Sequence, residues 1–345
     1  MVTCMSGIVA PSGAIRLGED TTPARHAPRV DDSGRILRGR QFGTPENLRI
    51  DALHTAMANA STNIPAARII DGKALSEIVR NSLRSRIAAA GRPVRLDALL
   101  VGDDRAAGIY AMNQAKTCAE IGIEYVLHRL PASASADDVA GRVLLLNVDD
   151  SVRALMVHLP LPGGVDTERI QSLISPDKDV EGVNPANIGN VVYGRRSLVP
   201  CTALATLEMI ESTGIQLRGK RCVVVGASNI VGKPIAVLLM RTEATVHSTN
   251  KFTPDLAALC RTCDVVVAAC GVPELVKADW VKPGAVVIDV GINRIDGADG
   301  KKITVGDVDF AAVSGVAGWI SPVPGGVGPM TVAMLLRNVV DAALR

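Results

Sequence analysis

Hydrophobic residues recur with two alternating spacings from about residue 66 to the end of the chain. Short, nearly continuous apolar runs alternate with longer segments in which apolar residues recur every three or four positions. The runs are typical of buried strands, and the longer segments are typical of helices that lie against a sheet. Strands are predicted at residues 96–101, 125–130, 154–159, 221–225, 245–248, 265–269 and 285–289, and helices at residues 74–87, 106–121, 137–146, 167–174, 202–213, 230–241, 254–261 and 329–344.

The regular alternation of strand and helix predicts the fold class. It favours an α/β protein in which parallel strands form the sheets and helices cover both of their faces. The alternation runs as two series, one before and one after about residue 200. We therefore expect two domains, and the length of 345 residues agrees with that number.

Composition narrows the class of protein further. Hydrophobic residues make up 48% of the chain and aromatic residues only 2%, so aliphatic side chains must build the core. The formal net charge is +2 and no long basic run is present, so we predict no nucleic-acid partner. No apolar run reaches the ~20 residues of a membrane span, so we predict no membrane insertion.

Residues 1–65 differ in character from the rest of the chain. They are rich in Arg, Asp, Gly, Pro, Ser and Thr and have no sustained hydrophobic spacing. They lack the apolar stretch of a secretory signal, and acidic residues such as Glu19 and Asp20 are atypical of a transit peptide. We expect a disordered extension and a cytoplasmic protein.

Cys260 and Cys263 form a CxxC pair, which in other proteins can mark a redox or metal site. No second CxxC and no pair of histidines accompanies it. We interpret the two cysteines as small packing residues between a helix and the strand that follows, and we predict no metal site.

A glycine turn between a predicted strand and helix is the first candidate for a binding site. Gly226 directly follows the strand predicted at 221–225, and Gly232 lies near the start of the helix predicted at 230–241. Such a turn lets the backbone approach a phosphate, and the helix N-terminus offers free N–H groups. The motif is incomplete compared with G-x-G-x-x-G, so an ordinary strand–helix turn remains an alternative. Lys251 follows the next strand, where an NAD site usually has an acidic residue.

Several motifs together resemble the tetrahydrofolate dehydrogenase/cyclohydrolase family over roughly residues 66–345. The most specific is P-V-P-G-G-V-G-P-M-T at residues 322–331. The others are I-D-G-K at 70–73, Tyr110 and Lys116 in one helix, L-P-L-P at 159–162, P-D-K-D-V-E-G at 176–182, P-C-T at 200–202, the glycine turn at 226–234, K-P-G at 282–284 and D-V-G-I-N at 289–293.

The resemblance implies a domain organisation and an activity. It implies a catalytic domain at residues 66–200, completed by a final helix at residues 323–345, and a Rossmann domain at residues 201–322. The tetrahydrofolate substrate is then expected in the cleft between them, where 5,10-methylenetetrahydrofolate transfers hydride to a dinucleotide. Members of the family are usually homodimers, so a homodimer is expected here.

The resemblance also implies the residues of the site. Catalytic roles are implied for Tyr110, Gln114, His158 and Glu181. Substrate binding is implied for Tyr110, Leu159, Pro160, Glu181, Pro324, Gly325 and Gly326, and cofactor binding for Gly226, Ala227, Ser228, Ile230, Gly232, Lys251, Gly271 and Ile292. We expect Gln114, His158 and Glu181 to be neighbours.

Three of these positions depart from the family's pattern. Gln114 replaces the lysine that is central to the cyclohydrolase step, His158 replaces its supporting glutamine, and Glu181 replaces an aspartate that holds the pterin. Glutamine neither titrates nor carries a charge, whereas hydride transfer mainly needs correct positioning. We therefore predict a dehydrogenase with lost or weak cyclohydrolase activity. A bifunctional enzyme in which His158 serves as the proton relay is the alternative.

Other readings of the sequence remain open. Lys251 would tolerate the 2′-phosphate of NADP, but Ala227 stands where many NADP-using relatives have arginine, so NADP is expected and NAD stays an alternative. A non-catalytic folate- or nucleotide-binding paralogue should lose Tyr110 or the glycine turn, and neither is lost. A dehydrogenase for a different reduced-pterin carrier is the last alternative.

Overall fold

The computed structural model describes residues 66–195, 198–297 and 301–345 of the chain. The extension predicted to be disordered, residues 1–65, lies outside the described residues. The elements before residue 200 are β1 (Arg68–Ile69), α1 (Gly72–Ala90), β2 (Val94–Val101), α2 (Arg105–Ile121), β3 (Ile123–Leu130), α3 (Ala136–Val148), β4 (Leu155–Val157), α4 (Thr167–Leu173) and α5 (Pro185–Tyr193).

The second series of elements extends to the end of the chain. It comprises α6 (Cys201–Glu211), β5 (Arg221–Val225), α7 (Gly232–Arg241), β6 (Thr245–Thr249), α8 (Leu256–Cys260), β7 (Val265–Ala268), a short 3-10 helix (Ala278–Trp280), β8 (Val286–Asp289), β9 (Asn293–Asp296), β10 (Lys302–Val305), α9 (Phe310–Val313), β11 (Trp319–Ile320) and α10 (Val327–Ala343). Every predicted strand and helix is present, with ends shifted by a few residues.

A three-stranded parallel sheet in the order β3-β2-β4 forms the centre of the first domain. Successive residues of β2 point to opposite faces of this sheet. Leu96 and Ala98 join the apolar cluster on one face, and Leu99 and Val101 join the cluster on the other. Both faces are therefore covered, as a parallel sheet requires.

The last helix returns to the first domain. α10 packs against α1 and α6 and contacts β2, and most of its residues are buried. Asn338 in this helix donates from Nδ2 to the carbonyl oxygens of Val180 and Val199, both at 2.9 Å. The prediction that a C-terminal helix completes the catalytic domain is thereby confirmed.

A six-stranded parallel sheet in the order β1-β11-β8-β7-β5-β6 forms the second domain. From β5 the chain adds β6 on one side and then β7 on the other, so the direction of winding reverses between β5 and β7. Ligands of open parallel sheets bind outside the carboxyl ends of the strands at such a reversal. The topology therefore places a ligand site beside Gly226, which follows β5.

Several elements of the fold were not predicted. β1 and β11 pair with each other in the second sheet but have only two residues each, too few for a hydrophobic spacing. The antiparallel pair of β9 and β10 is largely exposed, so it lacks a buried face that would produce a pattern. α5 contains Gly189 and β-branched residues, which have low helix propensity.

The CxxC pair lies in the core of the second domain. Cys260 ends α8 and Cys263 precedes β7, and both side chains are buried in one apolar cluster. Burial raises the pKa of the Cys260 thiol to about 12, so the thiol is protonated at neutral pH. These contacts support the interpretation as packing residues. Within the described ranges, no helix is both long enough and apolar enough to cross a membrane.

Candidate active site

The glycine turn after β5 brings the ends of two strands into contact. Gly226 has a φ of 111°, a backbone conformation that favours glycine. A Cβ at Gly226 would lie 2.1 Å from the carbonyl oxygen of Ala269, just beyond β7. A Cβ at Gly232 would lie 2.0 Å from the carbonyl oxygen of Gly226. The turn therefore has no room for side chains at either glycine, and its exposed backbone fits a phosphate group.

The helix after this turn begins later than predicted. α7 starts at Gly232 rather than at Ile230, and Ser228 Oγ accepts a hydrogen bond from the Gly232 N–H at 3.3 Å. Ile230 is consequently in the turn, where its side chain is 46% exposed. An apolar side chain in this place can contact a ligand rather than the core.

Two other predicted cofactor residues lie at the same edge of the sheet. Lys251 follows β6 and Gly271 follows β7, and parallel strands present their carboxyl ends on one side. The ammonium group of Lys251 lies 5.0 Å from the centre of the Phe252 ring, within range of a cation–π interaction. The lysine charge is thereby held next to the end of β6.

Residues from both domains line a cavity of about 130 Å³. Tyr110 on α2 and Glu181, which precedes α5, come from the first domain, and Ile230 and Val231 come from the glycine turn. Met156, Val183, Pro200, Cys201, Thr202, Thr331 and Leu335 complete the lining. The cavity therefore joins the predicted folate side of the site to the predicted cofactor side.

Glu181 is the charged residue of this cavity. Its Oε2 atom is buried and has no hydrogen-bond partner among the described residues. Burial and, to a smaller extent, the nearby Asp179 raise the pKa of Glu181 to about 7, although a hydrogen bond with the Val157 backbone acts in the opposite direction. An unpaired buried carboxyl group is costly to the folded protein, so it is a natural partner for donors on a ligand.

His158 follows β4 and is held by a tyrosine that the sequence did not single out. Its Nε2 atom lies 2.7 Å from the hydroxyl oxygen of Tyr125 on β3. Its ring meets that of Tyr110 edge to face, with centroids 5.9 Å apart. Burial lowers the pKa of His158 to about 4 and raises the pKa of Tyr125 well above its usual value, so both groups are uncharged at neutral pH.

Gln114 lies one turn beyond Tyr110 on α2 and is 3% exposed. Its Nε2 atom donates a weak hydrogen bond to the Cys118 sulfur at 3.9 Å. Among the described hydrogen bonds, none joins Gln114 to His158 or Glu181. The two side chains are therefore not joined by a hydrogen bond, because the Gln114 amide faces Cys118 on its own helix and Tyr125 lies at His158 Nε2. That Gln114, His158 and Glu181 are neighbours stays a prediction.

A second cavity, of about 140 Å³, is formed by the proline- and glycine-rich segment and the turn after β8. Ile292, Pro324, Gly325 and Gly326 all line it. The start of α1 packs tightly against this segment. A Cβ at Gly72 would lie only 1.8 Å from the Gly326 carbonyl oxygen, so the close contact needs a glycine at position 72. This explains why the I-D-G-K and P-G-G motifs occur together.

The predicted residues thus fall into groups. Tyr110, Glu181 and Ile230 share one cavity, while Leu159 and Pro160 follow β4 and line neither of the two cavities. Sequence reasoning missed Tyr125, Cys201 and Thr331. Cys201 and Thr331 lie within motifs that were recognised, which was the available signal.

A parallel sheet with a glycine turn at its winding reversal, facing a second α/β domain across a shared cavity, defines a dinucleotide-dependent enzyme of two domains. Comparison with known proteins identifies its family. Residues 70–181 match the family model for the tetrahydrofolate dehydrogenase/cyclohydrolase catalytic domain. Residues 200–345 match the family model for the NAD(P)-binding domain of the same family.

Individual relatives agree with this assignment. The chain is 46% identical over 282 residues to the bifunctional protein FolD of Moorella thermoacetica, covering 81% of this chain and 99% of that protein. The structure of the bifunctional FolD methylenetetrahydrofolate dehydrogenase/cyclohydrolase from Campylobacter jejuni superposes with a TM-score of 0.76 at 40% identity, covering 81% and 99% of the two chains. The dehydrogenase-cyclohydrolase FolD of Trypanosoma brucei, complexed with NADP and an inhibitor, gives a TM-score of 0.74 at 36% identity over 80% of this chain and 96% of that chain.

The chain belongs to the tetrahydrofolate dehydrogenase/cyclohydrolase family. It is an enzyme with NAD(P)-dependent dehydrogenase activity, and tetrahydrofolate is its substrate carrier.

Proposed function

We propose that this enzyme oxidises 5,10-methylenetetrahydrofolate to 5,10-methenyltetrahydrofolate and has lost most or all of the cyclohydrolase step. The observation that carries the dehydrogenase proposal is the cavity shared by Tyr110, Glu181 and Ile230. The dinucleotide, when bound, supplies the hydride acceptor. Tyr110 then stacks on the folate, and Glu181 accepts hydrogen bonds from its pterin edge. Ile230 excludes water from the face where hydride leaves the methylene carbon.

No lysine, arginine or histidine is among the described residues that line the cavity of Tyr110 and Glu181, and this supports the proposal about the cyclohydrolase step. Addition of water to the methenyl carbon and cleavage of a C–N bond benefit from a polarising group and a proton relay. Gln114 carries no charge, and its amide is engaged with Cys118. His158 is neutral at pH 7 because burial lowers its pKa to about 4, and Tyr125 occupies its Nε2. Neither residue supplies the charge of a lysine.

The names of the relatives favour the alternative of a bifunctional enzyme. The proteins from Moorella thermoacetica and Campylobacter jejuni are both described as bifunctional. In that alternative the neutral imidazole of His158 accepts the proton from the attacking water and passes it on.

Two assays on the purified protein decide between the proposals. Oxidation of methylenetetrahydrofolate is followed with NADP and NAD side by side, and hydrolysis of methenyltetrahydrofolate is followed without cofactor. We expect turnover in the first assay and hydrolysis at the spontaneous rate in the second. Hydrolysis well above the spontaneous rate would contradict the loss of cyclohydrolase activity, and no turnover with either cofactor would contradict the dehydrogenase.

A gain-of-function variant sharpens the second assay. Gln114→Lys combined with His158→Gln restores the two residue types of the family pattern. We expect hydrolysis of methenyltetrahydrofolate to rise about 100-fold, the lower end of the range for an added proton-transfer group. Asn113→Lys, on the exposed face of the same helix, is the matched control and should leave hydrolysis unchanged.

NADP is the proposed cofactor. Lys251 places a positive charge beside the end of β6, where the adenosine ribose binds in related folds. Lys251→Ser should raise the KM for NADP and leave the KM for NAD unchanged. Equal effects on both cofactors would contradict a contact with the 2′-phosphate.

A homodimer is the proposed assembly. β3 is an eight-residue strand at the edge of its sheet, with β2 as its neighbour among the described strands. An edge of this length can pair with a second copy of the chain. Light scattering of the purified protein should give twice the mass of the chain, and the mass of one chain would contradict the proposal.

A cytoplasmic location also stays a prediction, to be tested by cell fractionation.

A further inference from the structure

Two buried carboxyl groups lie next to the cofactor edge of the large sheet, outside the residues considered so far. Asp289 ends β8 and is 3% exposed, and Asp307 follows β10 and is fully buried. Neither residue belongs to the predicted site, and neither makes an ion pair among the described residues. Their hydrogen bonds show what they hold in place.

Asp307 connects the ends of two strands. Its Oδ2 atom accepts hydrogen bonds from the backbone N–H groups of Cys270 at 2.7 Å and Gly271 at 2.9 Å, directly after β7. Its Oδ1 atom accepts from the Asn293 side chain at 2.8 Å, in the segment after β8. One carboxylate therefore joins the loop after β7, which contains Gly271, to the segment after β8, which contains Ile292, and so sets the distance between them.

Asp289 holds Asp307 in turn. Its Oδ1 atom accepts from the backbone N–H groups of Asp307 at 2.9 Å and Gly291 at 3.0 Å, and its Oδ2 atom accepts from Val308 at 2.9 Å. The packing is close, because a Cβ at Gly291 would lie 2.2 Å from the Asp307 carboxyl group. A Cβ at Gly306 would lie 1.8 Å from Asp289 Oδ2.

We propose that Asp307, supported by Asp289, is a positioning residue for the dinucleotide. The loop that it holds, residues 270–271, meets the Gly226 turn at the winding reversal of the sheet, where Gly226 touches Ala269. The proposal rests on the proposed function only in taking the ligand of this edge to be NAD(P).

The chemistry of the pair explains why carboxylates serve here. Hydrogen bonds from N–H groups to a carboxylate are stronger than those to a neutral acceptor. Both Asp307 oxygens are engaged with the loops, so the charge serves the protein rather than the ligand. An asparagine at position 307 would keep one acceptor but would turn an N–H₂ group toward one of its present donors.

Binding of NADPH, measured by its fluorescence, tests the proposal in the full-length protein. For Asp307→Ala, which removes three charge-assisted hydrogen bonds, we expect the Kd for NADPH to rise at least about tenfold. For Asp307→Asn we expect a rise of about threefold, because part of the bonding survives. The kcat at saturating cofactor and the KM for the folate should stay within about twofold of the parent, since neither reacting group is touched.

Asp309→Asn is the matched control. Asp309 lies two residues away, where its side chain accepts from the Ala312 N–H and pairs with Lys277 rather than with the cofactor loops. This variant should leave the Kd unchanged. If Asp307→Ala fails to fold, Asn293→Ala removes one partner from the same loop and should weaken NADPH binding in the same direction.

The outcomes separate the two proposals. A Kd within twofold of the parent in Asp307→Asn and Asn293→Ala, accompanied by a lower melting temperature, would overturn the positioning role and leave a purely structural one. A parent protein that binds NADPH but does not oxidise methylenetetrahydrofolate would contradict the proposed function. In that case the NADPH affinities still decide the role of Asp307.

Discussion

Two regions of the molecule hold their buried polar groups in opposite ways. We call them the cofactor edge, the proposed dinucleotide site at Gly226, Gly271 and Asp307, and the folate cavity, the proposed substrate site lined by Tyr110 and Glu181. At the cofactor edge, Asp289 and Asp307 accept hydrogen bonds on every carboxylate oxygen, and all of the donors belong to the protein. In the folate cavity, Glu181 Oε2 is buried without a partner among the described residues, and outside the lining Gln114, one turn beyond Tyr110, reaches only a sulfur atom.

This difference separates two ways of building a binding site. The cofactor edge is preorganised, because internal hydrogen bonds hold backbone groups in position before a ligand arrives. The folate cavity instead keeps an unsatisfied carboxyl group, so a ligand with matching donors gains more there than one without them. We expect changes at the cofactor edge to act through shape, and changes in the folate cavity to act through hydrogen bonding and charge.

The largest effect is expected for Gly226→Ala. The added Cβ would lie 2.1 Å from the Ala269 carbonyl oxygen, and the φ of 111° is strained for alanine. The two strand ends must separate, so we expect NADPH affinity to fall by about 100-fold or more, equivalent to roughly 3 kcal/mol. Fluorescence titration and thermal melting measure the two consequences.

Gly141→Ala is its control, because a Cβ at Gly141 meets no atom within 4 Å and the residue lies within α3. That variant should keep its NADPH affinity and melt at the same or a higher temperature. Unchanged NADPH binding in Gly226→Ala would show that the turn is not part of the cofactor site.

An intermediate effect is expected for Glu181→Gln. Because the pKa of Glu181 is raised to about 7, the parent loses its carboxylate as the pH falls below 7. Its KM for methylenetetrahydrofolate should therefore rise between pH 8 and pH 6. In the variant we expect a KM about tenfold higher at pH 8, with little dependence on pH, as for the loss of a hydrogen bond to a charged group. Initial rates at several pH values measure both.

Stability provides an independent check on Glu181. A carboxyl group whose pKa is raised by folding contributes stability below its unfolded pKa and loses that contribution as the pH rises through 7. Glu181→Gln should therefore gain stability over the parent at pH 8 more than at pH 6. Glu120→Gln, on the exposed surface of α2, is the control. A pH-dependent KM that persists in Glu181→Gln would assign the titration to another group.

The smallest effect is expected for Tyr125→Phe. Loss of the hydroxyl leaves His158 Nε2 without its 2.7 Å partner, which should cost about 1 kcal/mol and lower the melting temperature by roughly 2 °C. Tyr193→Phe removes an exposed hydroxyl and should have no effect.

In the parent, NMR titration should find His158 neutral down to about pH 5, because its pKa is lowered to about 4. A His158 that charges near pH 6.5 would contradict this account of the folate cavity.

Much of the fold followed from short-range pattern. The strand 221–225 was predicted with its exact ends, and the helix predicted at 137–146 is present as α3, where Ser135 forms the N-cap and a capping box with Asp138. The site was predicted less fully. The resemblance pointed to Tyr110 and Glu181, but the roles of Tyr125 and Asp307 depend on contacts between segments that are distant in sequence.

The order of strands and helices and the glycine turn followed from the amino-acid sequence alone, as did the presence of Gln114 and His158 where the resemblance implies a lysine and a glutamine. These features are local, because hydrophobic spacing and backbone preference act over a few residues. The folded arrangement was needed to learn that Gln114 contacts Cys118, that Tyr125 hydrogen-bonds the imidazole of His158, and that Asp307 bridges two strand ends. Those outcomes depend on which buried polar groups meet once the strands are side by side, and no local spacing encodes that meeting.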